Sequence, residues 1–241
     1  MIKAVLFDLD GTLLDRNGSL DAFLPGQYAR FAAEPDNDAD CAAFCKRFID
    51  LDGYGYTPKT DLYQTLAAEF FSKSPHPLSP APQAGEGNSL AEALAADFQD
   101  RFRDSAVMFP NTAEMLAVLR ASGFPLGIVT NGSTDAQSGK IVACKLGGFV
   151  DTILISEQEG VRKPDPEIYI RAAQRLAVEP SECLFVGDNP RLDVSGSQAV
   201  GMTGVWLRGH LPWPDDLTRP PDYTIEKIEE VSRIVCATPP P

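Results

Sequence analysis

Ala4-Val5-Leu6-Phe7 runs without a polar break into Asp8-Leu9-Asp10-Gly11-Thr12-Leu13. Four consecutive apolar residues are the pattern of a strand covered on both faces. The two carboxylates that follow stand at its carboxyl end, and Gly11 permits the chain to turn there. Working outward, Leu126–Val129, Thr152–Ile155, Leu184–Val186 and Gly204–Leu207 repeat the apolar run. Helix-length segments, Ala113–Ala121, Ala136–Lys145, Pro166–Leu176 and Asp193–Ala199, lie between the later runs. Strand–helix alternation of this kind predicts an α/β protein, a three-layer Rossmann-like core with a parallel sheet between helices. Asp165 before Pro166 reads as a helix cap followed by the proline favoured in a first turn.

One stretch breaks the alternation. Residues 16–107 show only helical spacing, in Leu20–Ala33, Asp40–Ile49, Lys59–Phe71 and Leu90–Phe102. The spacing predicts a helical domain, 16–107, inserted into a core made of 1–15 and 108–241. Within it, Ser74–Ser89 carries four prolines and two glycines and reads as an exposed loop. Ala237–Pro241 reads as a frayed tail.

At about 150 residues per domain, 241 residues suit one large domain with a smaller partner. No apolar run approaches the roughly 20 residues of a membrane span. Asp8 arrives too early for a secretory leader, so a cytoplasmic protein is expected. The net charge is −13: residues 16–107 carry eight basic and fourteen acidic side chains and the remainder thirteen and twenty, −6 and −7. With no basic half, neither nucleic acid nor an anionic membrane is an expected partner. Cys41, Cys45, Cys144, Cys183 and Cys236 show no CxxC spacing and read as reduced thiols. His76 and His210 both sit among prolines, which argues against histidine catalysis.

Four polar clusters fall just past predicted strands: Asp8-Leu9-Asp10-Gly11-Thr12, Thr130-Asn131-Gly132, Lys163-Pro164, and Gly187-Asp188-Asn189-Pro190 followed by Asp193. Open parallel sheets bind ligands beyond the carboxyl ends of their strands, so the clusters are expected to converge. One of Asp8 and Asp10 can attack while the other handles a proton. Asp188 adds a third carboxylate, and three in one dry pocket repel unless a cation lies among them. Oxygen-only donors favour a hard ion, Mg²⁺ first. Lys163 adds a fixed positive charge, and Thr130 and the amides near Asn131 add donors. Together they suit an anion with several oxygens, which points to phosphate.

In order and placement these clusters resemble the motifs of the haloacid dehalogenase superfamily. Asp8-Leu9-Asp10-Gly11-Thr12-Leu13 is similar to its signature, and Thr130 and Lys163 take its second and third positions. Gly187-Asp188-Asn189-Pro190-Arg191-Leu192-Asp193, then Ala199-Val200-Gly201-Met202, resembles its fourth. Ser156-Glu157 through Lys163-Pro164-Asp165-Pro166 is similar to members with a helical cap, which the subclass carries between the first and second motifs. The resemblance implies that Asp8 is the nucleophile that becomes an aspartyl-phosphate. It implies that Asp10 protonates the leaving group and then activates water, its carbonyl joining the Asp8 and Asp188 carboxylates around Mg²⁺. Thr130, Asn131 and Lys163 would hold the phosphoryl group, and Asp193 would orient Lys163 or a metal-bound water.

A dehalogenase needs no acid for a halide and lacks the second aspartate, so Asp10 favours phosphoryl chemistry. The leading expectation is an Mg²⁺-dependent phosphatase of a small phosphorylated metabolite, a monomer or small homo-oligomer. A sugar phosphomutase resembling β-phosphoglucomutase is the alternative. A catalytically silent binding or regulatory member is a third reading, against which stand the retained Asp8, Asp10 and Lys163. Asp50–Thr57, with Tyr54 and Tyr56, is the candidate loop for selecting substrate; the competing reading is a surface turn whose tyrosines pack on the insertion.

Overall fold

The computed structural model describes residues 1–32, 38–71 and 89–236. The proline-rich loop expectation lies outside the described residues up to Asn88, and so does the tail at 237–241. The chain forms two compact units, one of Met1–Asp15 with Val107–Pro241, the other of Arg16–Ala106.

In chain order the described elements begin with β1 (Ala4–Phe7) and four helices, α1 (Arg16–Phe31), α2 (Asp38–Asp52), α3 (Lys59–Phe70) and α4 (Ser89–Arg101). Next come α5 (Thr112–Ala121), β2 (Leu126–Thr130), α6 (Thr134–Ala143), β3 (Thr152–Ile155), α7 (Ser156–Glu159) and α8 (Pro166–Arg175). Then follow β4 (Cys183–Gly187), α9 (Gly196–Ala199), β5 (Thr203–Leu207), β6 (Tyr223–Ile225) and α10 (Val231–Cys236).

The sheet order is β3-β2-β1-β4-β5-β6, and every pairing is parallel. Ala4 and Leu6 pack with Val129, Leu154, Ile168 and Tyr169 on the face that α8 covers. Val5 and Phe7 alternate to the opposite face and are equally buried, so both sides of the sheet are covered. Asp165 caps α8, its Oδ1 accepting from the Glu167 N–H at 3.0 Å. Because β2 and β4 both flank β1, the chain order reverses between β1 and β4, the switch point at which sheets of this kind bind ligands. β6 was not expected: only three residues long at the sheet edge, it exposes Tyr223 and Thr224. The segment predicted as one helix over Asp193–Ala199 is a π-type turn, Pro190–Ser195, followed by the short α9. Among the described residues, no helix is long and apolar enough to cross a membrane. Cys41, Cys45, Cys144 and Cys183 are free thiols.

Leaving β1, the chain closes a small ladder before the helical unit starts. Leu14 pairs antiparallel with Met108, and the Asp15 N–H donates to the Val107 carbonyl at 2.8 Å.

The second unit packs aromatic rings. Phe98 and Phe102 stack at 4.5 Å, and Phe23 meets both edge-on. One polar group is buried among them: Gln27 accepts from the Tyr63 hydroxyl at 2.7 Å and donates to the Leu94 carbonyl at 3.0 Å. A buried amide so paired escapes most of its desolvation cost. At the end of α2, buried Asp52 accepts from Arg16 at 2.7 Å and Lys59 at 2.6 Å. Burial works to raise its pKa, but Arg16 and Lys59 overcome that and hold the carboxyl below its ordinary value.

Candidate active site

Asp8 is the first residue past β1, and its N–H extends the ladder to the Val186 carbonyl at 2.9 Å. The Leu9 carbonyl then accepts from the N–H groups of Leu13 and Leu14, turning the chain around Asp10 and Gly11. Gly11 has φ +81°, and a Cβ there would lie 2.5 Å from Asp188 Oδ2. Both the turn and the close approach exclude a side chain.

Lys163 arrives from beyond β3. Its N–H donates to Asn131 Oδ1 at 2.9 Å, and its carbonyl accepts from Asn131 Nδ2 at 3.0 Å. The ammonium is buried and lies 2.6 Å from both Asp8 Oδ1 and Asp193 Oδ1, over the Phe185 ring. Asp193 is brought back to the sheet by the π-type turn. Asn189 Oδ1 opens that turn by accepting from the N–H groups of Arg191 and Leu192. Asp193 Oδ2 in turn accepts from the Asn189 N–H at 2.9 Å. A Cβ at Gly187 would stand 2.2 Å from Asp193 Cβ, so only glycine admits this return.

Asp188 closes the group. Its N–H donates to Thr12 Oγ1 at 3.2 Å, and the Thr12 hydroxyl donates to Asp8 Oδ2 at 3.4 Å. Its carbonyl accepts from Trp206 Nε1 at 3.2 Å. Asp8, Asp188 and Asp193 offer carboxylate oxygens within 4.8 Å of one another, the one such group of potential metal ligands among the described residues.

Burial raises the Asp8 pKa to about 7; Lys163 opposes the rise and Asp193 adds to it. Burial, with Asp193 and Asp8, lifts Asp188 to about 8. Burial works against the Lys163 charge, yet Asp193 and Asp8 outweigh it and hold the ammonium well above its ordinary value. Fully ionised, the three buried carboxylates against one ammonium carry two negative charges in excess, the charge of one divalent cation that would displace their protons. Oxygen donors and that excess fit Mg²⁺.

The Asp10 carboxylate faces α6. Lys140 Nζ donates to its Oδ1 at 2.8 Å and its Oδ2 at 2.7 Å, and Gln137 Nε2 donates to Oδ2 at 3.0 Å. Gln137 also donates to buried Thr130 Oγ1 at 2.6 Å. The predicted site residues therefore fall into two linked groups. Asp8, Lys163, Asp188 and Asp193 form one, and Asp10 and Thr130 join through Gln137. The side chain of Asn131 is taken up by the Lys163 backbone. Tyr54 and Tyr56 lie in the second unit, 46% and 65% exposed. Their rings are thus partly covered and partly open to solvent. Tyr54 sits between two glycines at φ +55°, a left-handed conformation that tyrosine rarely adopts.

Sequence reasoning missed Gln137, Lys140 and His210. Gln137, Lys140 and Ile141 share the buried face of α6 at i, i+3, i+4. Two polar residues on an inward face, one turn past a site strand, were the available signal. His210, set aside for its proline-rich surroundings, has Nδ1 3.7 Å from Asp188 Oδ2.

The fold and site define a hydrolase class. The family model described as haloacid dehalogenase-like hydrolase matches residues 2–201. The chain belongs to that family. A glyceraldehyde 3-phosphate phosphatase of Methanopyrus kandleri is 31% identical, the alignment covering 98% of this chain and 97% of that protein. A phosphoserine phosphatase of Thermus thermophilus is 35% identical over 62% of this chain and 59% of its own length. Among solved structures, a phosphatase of the same superfamily from Thermococcus onnurineus superposes with a TM-score of 0.59 at 27% identity, covering 97% of this chain and 98% of that one.

Proposed function

We propose that the chain is an Mg²⁺-dependent phosphatase of a small phosphomonoester that works through Asp8. The observation that carries this reading is Lys163, whose buried ammonium bridges Asp8 and Asp193 beside Asp188. The phosphatase names of relatives over most of the chain support the same class.

Asp8 and Asp188, with the Asp10 carbonyl, are the residues assigned to Mg²⁺. The ion would supply charge neutralisation between the nucleophile and the phosphoryl oxygens. An Asp8 carboxylate oxygen attacks phosphorus, and the bond from phosphorus to the ester oxygen breaks as that oxygen takes a proton from the Asp10 carboxyl. Water then attacks the aspartyl-phosphate, giving its proton to Asp10, and inorganic phosphate leaves. Lys163 and the Thr130 hydroxyl hold the transferring oxygens, and Asp193 and Asn131 hold Lys163. The second unit is assigned the role of a cap that selects substrate through Tyr54 and Tyr56.

A panel of sugar phosphates, nucleoside monophosphates, phosphoglycolate and phosphorylated acids, assayed with Mg²⁺ for released phosphate, tests the class. Asp8→Asn should bring kcat to background while circular dichroism is unchanged. Near-normal turnover by that variant would sink the assignment.

A further inference from the structure

We infer that Lys140 and Gln137 of α6 are positioning residues for the acid–base carboxylate Asp10; the inference rests on the phosphatase reading above. Asp10 stands on a turn just past β1, and its side chain remains about one-third exposed. A partly exposed carboxyl on a turn has rotamer freedom that must be restricted before it can serve one ester oxygen. Lys140 grips both oxygens at 2.7 and 2.8 Å, and Gln137 adds a third hydrogen bond at 3.0 Å. Each holder is itself held. Lys140 Nζ donates to Gln137 Oε1 at 2.9 Å, and Gln137 Nε2 donates to Thr130 Oγ1 at 2.6 Å. The two side chains are buried, which removes most of their own freedom. Their donors are thus fixed before substrate arrives.

The placement has a chemical purpose. Thr130 is assigned to the transferring oxygens and Asp10 to the leaving oxygen, and these are neighbours on one phosphorus. Gln137 ties the two residues with a single amide group. A shift of Asp10 away from Thr130 breaks a hydrogen bond at Gln137, so the acid stays in register with the phosphate cradle. A lysine on a surface helix would ordinarily be solvated. Lys140 is only 8% exposed. Burying an ammonium is costly unless it is paired, and its pairing here is with Asp10 and Gln137.

The experiment measures single-turnover phosphoryl transfer, in excess enzyme with Mg²⁺, from phenyl phosphate and 4-nitrophenyl phosphate. The second ester leaves readily and needs the acid less. The enzymes are wild type, Asp10→Asn, Lys140→Met, Lys140→Arg and the Asp10→Asn/Lys140→Met double variant. General acid–base help is worth about 10²–10⁴-fold. A misplaced acid should forfeit about tenfold or more of that with phenyl phosphate and clearly less with 4-nitrophenyl phosphate. Lys140→Met should add nothing to Asp10→Asn, and Lys140→Arg should recover part of the loss. Equal slowing on both esters, or a full additional loss in the double variant, would overturn the inference. Gln137→Leu, run through the same cycle, decides the matter if Lys140→Met does not fold. An active Asp8→Asn enzyme would instead overturn the phosphatase reading itself, so the two failures are distinguishable.

Discussion

Asn131 and Lys163 exchange two hydrogen bonds of opposite direction, Lys163 N–H to Asn131 Oδ1 at 2.9 Å and Asn131 Nδ2 to the Lys163 carbonyl at 3.0 Å. The loop beyond β2 is thereby clamped to the loop beyond β3, and the clamp sets where the Lys163 stem begins. Asn131→Ala removes both bonds. At about 1 kcal/mol each, the expected loss is roughly 2 kcal/mol in urea denaturation. Because the lysine also loses its placement, kcat should fall by about tenfold or more while KM changes less. An unchanged kcat would show that the clamp serves the fold alone.

Lys163→Met leaves three buried carboxylates with no ammonium. Removing one partner of a buried ion pair costs about 3–5 kcal/mol. The variant should therefore unfold at markedly lower denaturant as well as lose turnover. Lys163→Arg keeps the charge, but its planar fork does not fit a position where one atom meets Asp8 and Asp193 at 2.6 Å. It should regain part of the stability and little of the activity. Wild-type kcat in the arginine variant would mean that a diffuse positive charge is sufficient.

Asp8 and Asp188 carry raised pKa values of about 7 and about 8 against an ordinary 3.8. The folded chain then binds more protons than the unfolded chain between about pH 4 and pH 8. Stability should fall as pH rises through that window in chelator-treated protein. A divalent cation competes with those protons, so Mg²⁺ should raise Tm more at pH 8 than at pH 5. Differential scanning fluorimetry with EDTA or MgCl₂ at both pH values measures this. An equal Mg²⁺ shift at the two would exclude these carboxylates as its ligands.

Tyr54 and Tyr56 are exposed, so Tyr56→Ala should change stability by less than about 0.5 kcal/mol. Tyr54→Gly relieves the left-handed backbone at φ +55° but loses a half-covered ring and frees the unfolded chain, so its net change should lie within about 1 kcal/mol. Both substitutions should alter kcat/KM unevenly across a phosphomonoester panel and leave Mg²⁺ dependence intact. A uniform fall, 4-nitrophenyl phosphate included, would assign the loop to folding or movement.

The buried strands were legible because an uninterrupted apolar run has one dominant reading in an alternating chain. β6 was not, because an edge strand with Tyr223 and Thr224 in solvent carries no such run. Asp8, Lys163, Asp188 and Asp193 were legible through their places at strand ends and through family resemblance. Lys140 and Gln137 were hidden because α6 looks like any amphipathic helix until its inward face is counted. Asn131 was read as contributing through its backbone; the hold of its side-chain amide on the Lys163 backbone joins two loops far apart in sequence, which no local pattern announces. The start of α1 at Arg16 was also missed, four residues ahead of the predicted Leu20, since Gly18 and Ser19 weaken the helical signal there.

The ladder of Leu14 with Met108 and Asp15 with Val107 satisfies the backbone of the sheet-bearing unit at the point where the chain departs and returns. That seam is complete before any residue of the helical unit is counted. A sequence spliced between Asp15 and Val107 meets a backbone seam that is already paired. The helical stretch is in this sense a cassette. The hydrogen bonds that hold Asp8, Lys163 and Asp188 lie within the sheet-bearing unit itself.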